Sequence, residues 1–269
     1  MLRYKEILLK VPRNEFERLS DEVFVLGTLG TEIVSESEEV LFRVYFRQEV
    51  EIPDDISKYV IEENFLEDRD WNEEWKKYYK PVQITKGIWI VPSWEKGKFK
   101  EPENSVVIYI HPGRGFGTGT HETTQLVIEY MEETLKPGIS FLDVGTGSGI
   151  LSILAKKLGA GRVVACDIQE GIEEEVERNS SLSGISGVEF VQGSIDSVSG
   201  KFDVVVANIE KHLLSPLLEE IYKRTKNTAI FSGILKSQAG EFLKEVEGVG
   251  FKLESQRSKG EWTAFLCRR

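Results

Sequence analysis

Apolar residues recur along this chain in two rhythms, every second position and every third or fourth, and the way they alternate changes near residue 80. In the first part, "RYKEILLKV" reads as a strand, and "RNEFERLSDEVFVLG" as a helix ending at Gly27, with Pro12 and Asn14 near its start. "TEIVSES" and "EVLFRVYF" read as two further strands, the second with apolar residues at roughly every other position. "DDISKYVIEENF" predicts a helix with Ile56, Tyr59 and Val60 on one face, and "FLED" a last short strand. The order β-α-β-β-α-β predicts a small α+β domain of ferredoxin-like type over residues 1–69. Trp71, Trp75 and Tyr79 then fall four apart in "DRDWNEEWKKYYKPV", which predicts a helical linker over 70–81 with an aromatic stripe suited to packing between domains.

From residue 82 to 269 strands and helices alternate. "GIWIVPSW" and "NSVVIYIHPG" read as strands and "HETTQLVIEYMEETL" as a helix. Five strands and four helices follow, starting at "SFLDVG", and "FKLESQRSKGEWTAFLCRR" closes the chain as two strands round a glycine turn. This pattern predicts an α/β domain: a seven-stranded, mostly parallel sheet flanked by helices, with an antiparallel hairpin at its end. Ligands of such sheets sit at the carboxyl ends of the strands.

Composition narrows the class. A hydrophobic fraction of 40% and a charged fraction of 29% fit a soluble globular protein. No apolar run approaches the roughly 18 residues of a membrane span, and the first twenty residues scatter charge where a signal peptide would be apolar. Two cysteines, Cys166 and Cys267, each inside an apolar run, make a disulfide framework unexpected and a reducing cytoplasm the natural location. His111, His121 and His212 show no ligand spacing with them, so no metal site is expected. The net charge of −11 is concentrated early: residues 1–70 carry 18 acidic and 9 basic side chains, the remainder 27 and 25. That acidity is either a solvated surface or a docking face for a basic partner, and it argues against direct nucleic-acid binding.

The chemistry concentrates in "FLDVGTGSGILSI", where a strand enters a glycine loop and leaves as a helix. Gly145, Gly147 and Gly149 form G-x-G-x-G, whereas a dinucleotide fingerprint would put its third glycine at the position of Ile150. Asp143 precedes the loop, and Asp167 closes the next strand, where a carboxylate would meet a ribose diol of either nucleotide cofactor. Asn208 ends the fourth strand in "VVVANI" and offers an amide carbonyl that accepts from an amine, or else caps the next helix. Upstream, "HPGRGFGTGTHETTQL" enters a helix through four glycines and reads as a wall of the site, with Thr124 on the first turn facing inward. These residues leave both a nicotinamide dinucleotide and S-adenosylmethionine open.

"FGTGTHETT", "DVGTGSGILSI", "VVVANI", "FSGIL" and the Trp-rich "DWNEEWKKYYKPV…IWIVPSW" together resemble the ribosomal protein L11 methyltransferase (PrmA) family. The resemblance covers the linker and the whole C-terminal domain. It implies a class I methyltransferase fold and an S-adenosylmethionine-dependent enzyme that N-methylates lysine ε-amines and the N-terminal α-amine of ribosomal protein L11. Carried over by motif, Thr124, Gly145, Asp167 and Asn208 would contact the cofactor, with Asp143 and Gly147 completing the loop and Asn208 orienting the acceptor amine. The chain departs from the family in His111 before Pro112-Gly113, in Gln169-Glu170 after the ribose aspartate, and in Glu210 where the family has leucine. His121 is a candidate general base by position alone. The acidic N-terminal domain is expected to dock the substrate protein, and a cytoplasmic monomer is expected. An amine methyltransferase acting on RNA, DNA or another protein is the nearest alternative, followed by an NAD-dependent oxidoreductase and a non-catalytic S-adenosylmethionine sensor. Nucleic-acid enzymes of this kind follow the key Asn or Asp with Pro-Pro and an aromatic residue, where this chain has Ile209-Glu210-Lys211.

Overall fold

The computed structural model describes residues 3–46, 50, 52–67, 79–113 and 115–269; Trp71 and Trp75 of the expected linker stripe lie outside them. The chain divides into two units, Met1–Tyr79 and Lys80–Arg269.

In the first unit, β1 (Arg3–Pro12), α1 (Phe16–Val25), β2 (Gly30–Glu36), β3 (Glu39–Phe46), α2 (Asp54–Ser57) and β4 (Val60–Glu67) follow in order. The four strands form one antiparallel sheet, ordered β2-β3-β1-β4. Alternation puts Ile7, Leu9 and Val11 of β1 and Val40, Phe42, Val44 and Phe46 of β3 on one face, buried with Leu19 and Val23 of α1. The opposite face is mixed, with Lys10 and the half-buried Leu8 and Leu41 among polar residues. Glu6, Glu32 and Glu62 share it with Arg43, Tyr45 and Asn64, and the Tyr45 hydroxyl donates to Glu32 at 3.0 Å.

The helix expected over "DDISKYVIEENF" is corrected to a single turn, Asp54–Ser57, and Val60–Glu67 forms β4, so the strand expected at "FLED" starts earlier; Asp68 lies outside the described residues. Val60, Ile61 and Phe65 favour extended backbone. The free edge of β1 needs hydrogen-bond partners, and β4 pairs along it from Arg3↔Glu67 to Leu9↔Val60.

The second unit opens with a small sheet of its own, β5 (Val82–Gln83), β6 (Ile88–Pro92) and β7 (Val106–Ile110). Then come α3 (Glu122–Thr134), β8 (Ser140–Val144), α4 (Ile150–Lys157), β9 (Arg162–Asp167), α5 (Ile172–Leu182), β10 (Val188–Gln192) and β11 (Phe202–Asn208). The chain ends with α6 (Lys211–Leu214), α7 (Leu218–Arg224), β12 (Thr225–Leu235), α8 (Ala239–Gly248), β13 (Lys252–Lys259) and β14 (Trp262–Arg268). Seven strands form a sheet ordered β10-β9-β8-β11-β12-β14-β13, in which β14 alone runs against the others. Successive residues alternate between two cores: Phe141 and Val206 pack with α3 and α4, and Leu142 and Val205 with α7 and α8. Burial on both faces explains why these strands are continuous apolar runs. The strand order reverses between β8 and β11, so a crevice opens at their carboxyl ends. No helix among the described residues is long and apolar enough to cross a membrane. Cys166 and Cys267 are free and buried, and burial pushes both thiols up to about 12, which leaves them unreactive.

Candidate active site

At the crevice, the Gly145 and Thr146 N–H groups donate to the Cys166 carbonyl at 2.9 and 3.1 Å, turning the chain sharply out of β8. Gly147 sits at φ +51°, and a Cβ there would lie 2.2 Å from the Phe116 carbonyl oxygen. The second glycine segment therefore rests directly on the first, and the Ser148 N–H donates to that same carbonyl at 2.9 Å. Two buried side chains of α5, four residues apart and on one helix face, brace the pair. Asn179 donates to the Ser148 carbonyl and accepts from the His111 N–H, both at 2.8 Å. Glu175 accepts from the Gly115 N–H at 3.0 Å. Neither residue stands out in "IEEEVERNSSLSG", because inward and outward polar residues of a helix look alike in sequence; only their i, i+4 spacing is a signal.

The two aspartates differ in environment. Asp167 accepts from the Gly147 N–H and the Gln169 N–H, each at 3.0 Å, which leaves each oxygen further accepting capacity, and the residue lines the cavity. Asp143 is fully buried: its Oδ2 accepts from Thr146 at 2.7 Å and Ser152 at 2.8 Å, while its Oδ1 has no partner among the described residues. Burial drives its pKa up to about 6; the two hydroxyls oppose the rise and the nearby Asp167 charge adds to it.

Asn208 stands at the end of β11, one residue past the pairing of Ala207 with Val144. Its Nδ2 donates to Thr124 Oγ1 at 3.2 Å, and its Oδ1 is buried without a partner among the described residues. Thr124 is itself fully buried and stands behind the cavity wall, which its neighbour Thr123 lines. The structure thus gives Thr124 a hold on Asn208, where the sequence put it on the wall. Gly233, at φ +87°, lets β12 pass so closely that a Cβ there would lie 2.4 Å from the Ile209 carbonyl.

His121 caps α3: its Nδ1 accepts from the Thr123 N–H at 3.3 Å and lies 2.8 Å from the Thr123 hydroxyl. A nitrogen that accepts from an amide carries no proton, so the lone pair a general base would use is already engaged. The ring packs edge-on between Phe116 and Trp262, at 5.2 and 5.1 Å. The ring thus caps the helix and also lines the cavity at the crevice.

A cavity of about 670 Å³ opens beside these residues; Asp143, fully buried, does not line it. Gly145, Gly147, Asp167 and Asn208 line it, with Phe116 and Trp262. Among the described residues no lysine or arginine does; the formal charges of the lining are the carboxylates of Asp167 and Glu210. The carboxylates of Asp167 and Glu210, the unpaired acceptor of Asn208, and glycines where a side chain would collide fit a nucleoside cofactor with a cationic amino-acid tail.

The family model for ribosomal protein L11 methyltransferase (PrmA) matches residues 6–269. A ribosomal protein L11 methyltransferase of Caldicellulosiruptor bescii is 40% identical over 218 residues, covering 80% of this chain and 70% of that protein. One from Dictyoglomus thermophilum is 33% identical and covers 97% of both chains. The solved ribosomal protein L11 methylase of Lactobacillus delbrueckii subsp. bulgaricus superimposes with a TM-score of 0.66 at 33% identity, over 71% of this chain and 99% of that one. A Pyrococcus furiosus methyltransferase, at 20% identity and a TM-score of 0.51, shares the fold over 60% of this chain and 88% of its own. The chain therefore belongs to the ribosomal protein L11 methyltransferase family, as a class I methyltransferase that uses S-adenosylmethionine.

Proposed function

We propose that this protein transfers methyl groups to lysine ε-amines and the N-terminal α-amine of ribosomal protein L11. The observation that carries the reading is the buried, unpaired Oδ1 of Asn208, a residue that lines a cavity whose described lining has no lysine or arginine. Such an acceptor suits an amine N–H, and an unsatisfied buried carbonyl is costly unless a ligand uses it.

Gly145, Gly147 and Asp167 would hold the nucleoside, while Asp143, buried behind the glycine loop, would act on the cationic tail through its charge alone. S-adenosylmethionine supplies, when bound, an electrophilic methyl on a sulfonium. The protein's task is to deliver a neutral amine in line with it. A free lysine is neutral in only about one molecule in a thousand at pH 7.4. The lining carboxylates favour the ammonium at the cavity mouth, whereas desolvation beside the neutral Asn208 disfavours it, and there the proton leaves to solvent. Asn208 then accepts one remaining N–H and aims the lone pair. Thr124, by taking the Asn208 amide donor, fixes which end of that amide faces the amine.

The acidic sheet face of the first unit would recognise the basic substrate. Replacing Glu32 and Glu62 together by glutamine is expected to raise KM for the protein substrate about three- to tenfold, with cofactor Kd unchanged. Steady-state kinetics at low salt checks this, and an unaltered KM sinks the docking role.

The decisive experiment for the function is the intact mass of free ribosomal protein L11 after incubation with this protein and S-adenosylmethionine. Whole-methyl mass steps that map to amines support the reading. Cofactor binding without any mass change would direct attention to an RNA, DNA or other protein acceptor.

A further inference from the structure

We infer that Glu210 is the receptor for the acceptor's ammonium group before it is deprotonated, and so a determinant of specificity for lysine; the inference rests on the amine reading above. Of the two carboxylates that line the cavity, Asp167 is only 8% exposed and its oxygens serve the Gly147 and Gln169 amides. The Glu210 side chain is 70% exposed and accessible to an incoming cation. Its backbone is held firmly. The Glu210 carbonyl accepts from the Leu213 and Leu214 N–H groups, both at 3.0 Å, and begins α6. Gly145 and Gly233 admit Ile209 at distances no side chain would permit.

The neighbouring cation does not neutralise this carboxylate. Lys211 turns away, with its ammonium 2.8 Å from Glu245 and 3.2 Å from Glu241. The basic group that faces Glu210 among the described residues is His212, whose Nδ1 lies 3.4 Å from Oε2 and whose side chain is equally exposed. Leu213 and Phe116, each more than half exposed, also line the cavity and supply apolar surface. An apolar rim beside a carboxylate with no lysine or arginine on it matches a lysine side chain: the methylenes lie on the rim while the head group stays paired. Glu210 stands two positions after Asn208, so the captured amine has a short path to the carbonyl that orients it.

The test is initial-rate kinetics with free ribosomal protein L11. In about 50 mM salt, Glu210→Gln is expected to raise KM about three- to fivefold while kcat stays within about twofold and cofactor Kd is unchanged. Glu210→Lys is expected to raise KM more than about tenfold, since a like charge then meets the ammonium. In about 0.5 M salt the gap between wild type and Glu210→Gln should close, as expected for an exposed charge. A KM for Glu210→Gln equal to the wild-type value at low salt, or a loss confined to kcat, overturns the inference. If wild-type protein itself places no methyl on an amine, the amine reading has failed instead, and the two outcomes are told apart by mass spectra of the same reactions.

Discussion

Asn208→Ala is expected to lower kcat for amine methylation by about 10²–10³, the usual cost of removing one preorganised polar group aimed at the reacting centre. Truncation removes an unpaired side-chain acceptor of the cavity wall and leaves the fold intact, because Asn208 is half-buried at a strand end. Cofactor affinity should change far less, since the glycine loop and Asp167 are untouched. Asn208→Asp separates the two parts of the role. Aspartate still accepts an N–H, but its charge stabilises the ammonium and keeps the incoming amine protonated. The aspartate variant should therefore regain rate as pH rises, while the alanine variant stays slow throughout. Single-turnover kinetics across about pH 7 to 9 is the measurement, because it isolates chemistry from product release. An alanine variant that keeps wild-type kcat would sink the assignment.

What can be read from the sequence, and what cannot, divides along the range of the interactions involved. The apolar runs of β8, β9, β11 and β12 are strands because both faces are buried, and a run of that kind is visible residue by residue. The positions of Asp167 and Asn208 follow, since each is the last residue of its strand in a parallel sheet. The segment at 54–65 misleads for the opposite reason. Its helical spacing of Ile56, Tyr59 and Val60 is real, but the open edge of β1, far away in sequence, decides the outcome. Thr124 illustrates a finer limit. Helical periodicity places Thr123 and Thr124 on the same first turn, and only the position of β11 decides that one lines the cavity and the other holds Asn208. The bracing by Asn179 and Glu175 is likewise invisible, because a buried polar side chain is defined by partners that come from elsewhere in the chain.

Asp143 should make both stability and cofactor affinity depend on pH, in opposite directions. Its folded pKa of about 6 lies above the ordinary 3.8, so its contribution to stability is fully present below pH 3.8 and is lost as pH rises through 6. The whole effect is about 3 kcal/mol, and roughly half of it falls between about pH 5 and 7.5. The amide of the variant Asp143→Asn does not titrate, so the stability of the variant relative to wild type should rise by about 1–1.5 kcal/mol across that interval, read from urea denaturation of the cofactor-free proteins. Cofactor binding runs the other way. The charge of an ionised Asp143, buried behind the glycine loop and off the cavity surface, favours a cationic tail, so wild-type Kd for S-adenosylmethionine should weaken below about pH 6, by at most about tenfold per pH unit. The variant, with an amide in place of the charge, should bind about a hundredfold more weakly at about pH 7.5, and with little pH dependence. Calorimetric titration at about pH 5, 6 and 7.5 decides the matter, and a wild-type Kd that is flat over this range would show that Asp143 does not serve the cofactor. The same carboxylate would then be a buried charge that costs the fold stability without a compensating role, which is why the pairing of the two pH profiles, and not either alone, is informative.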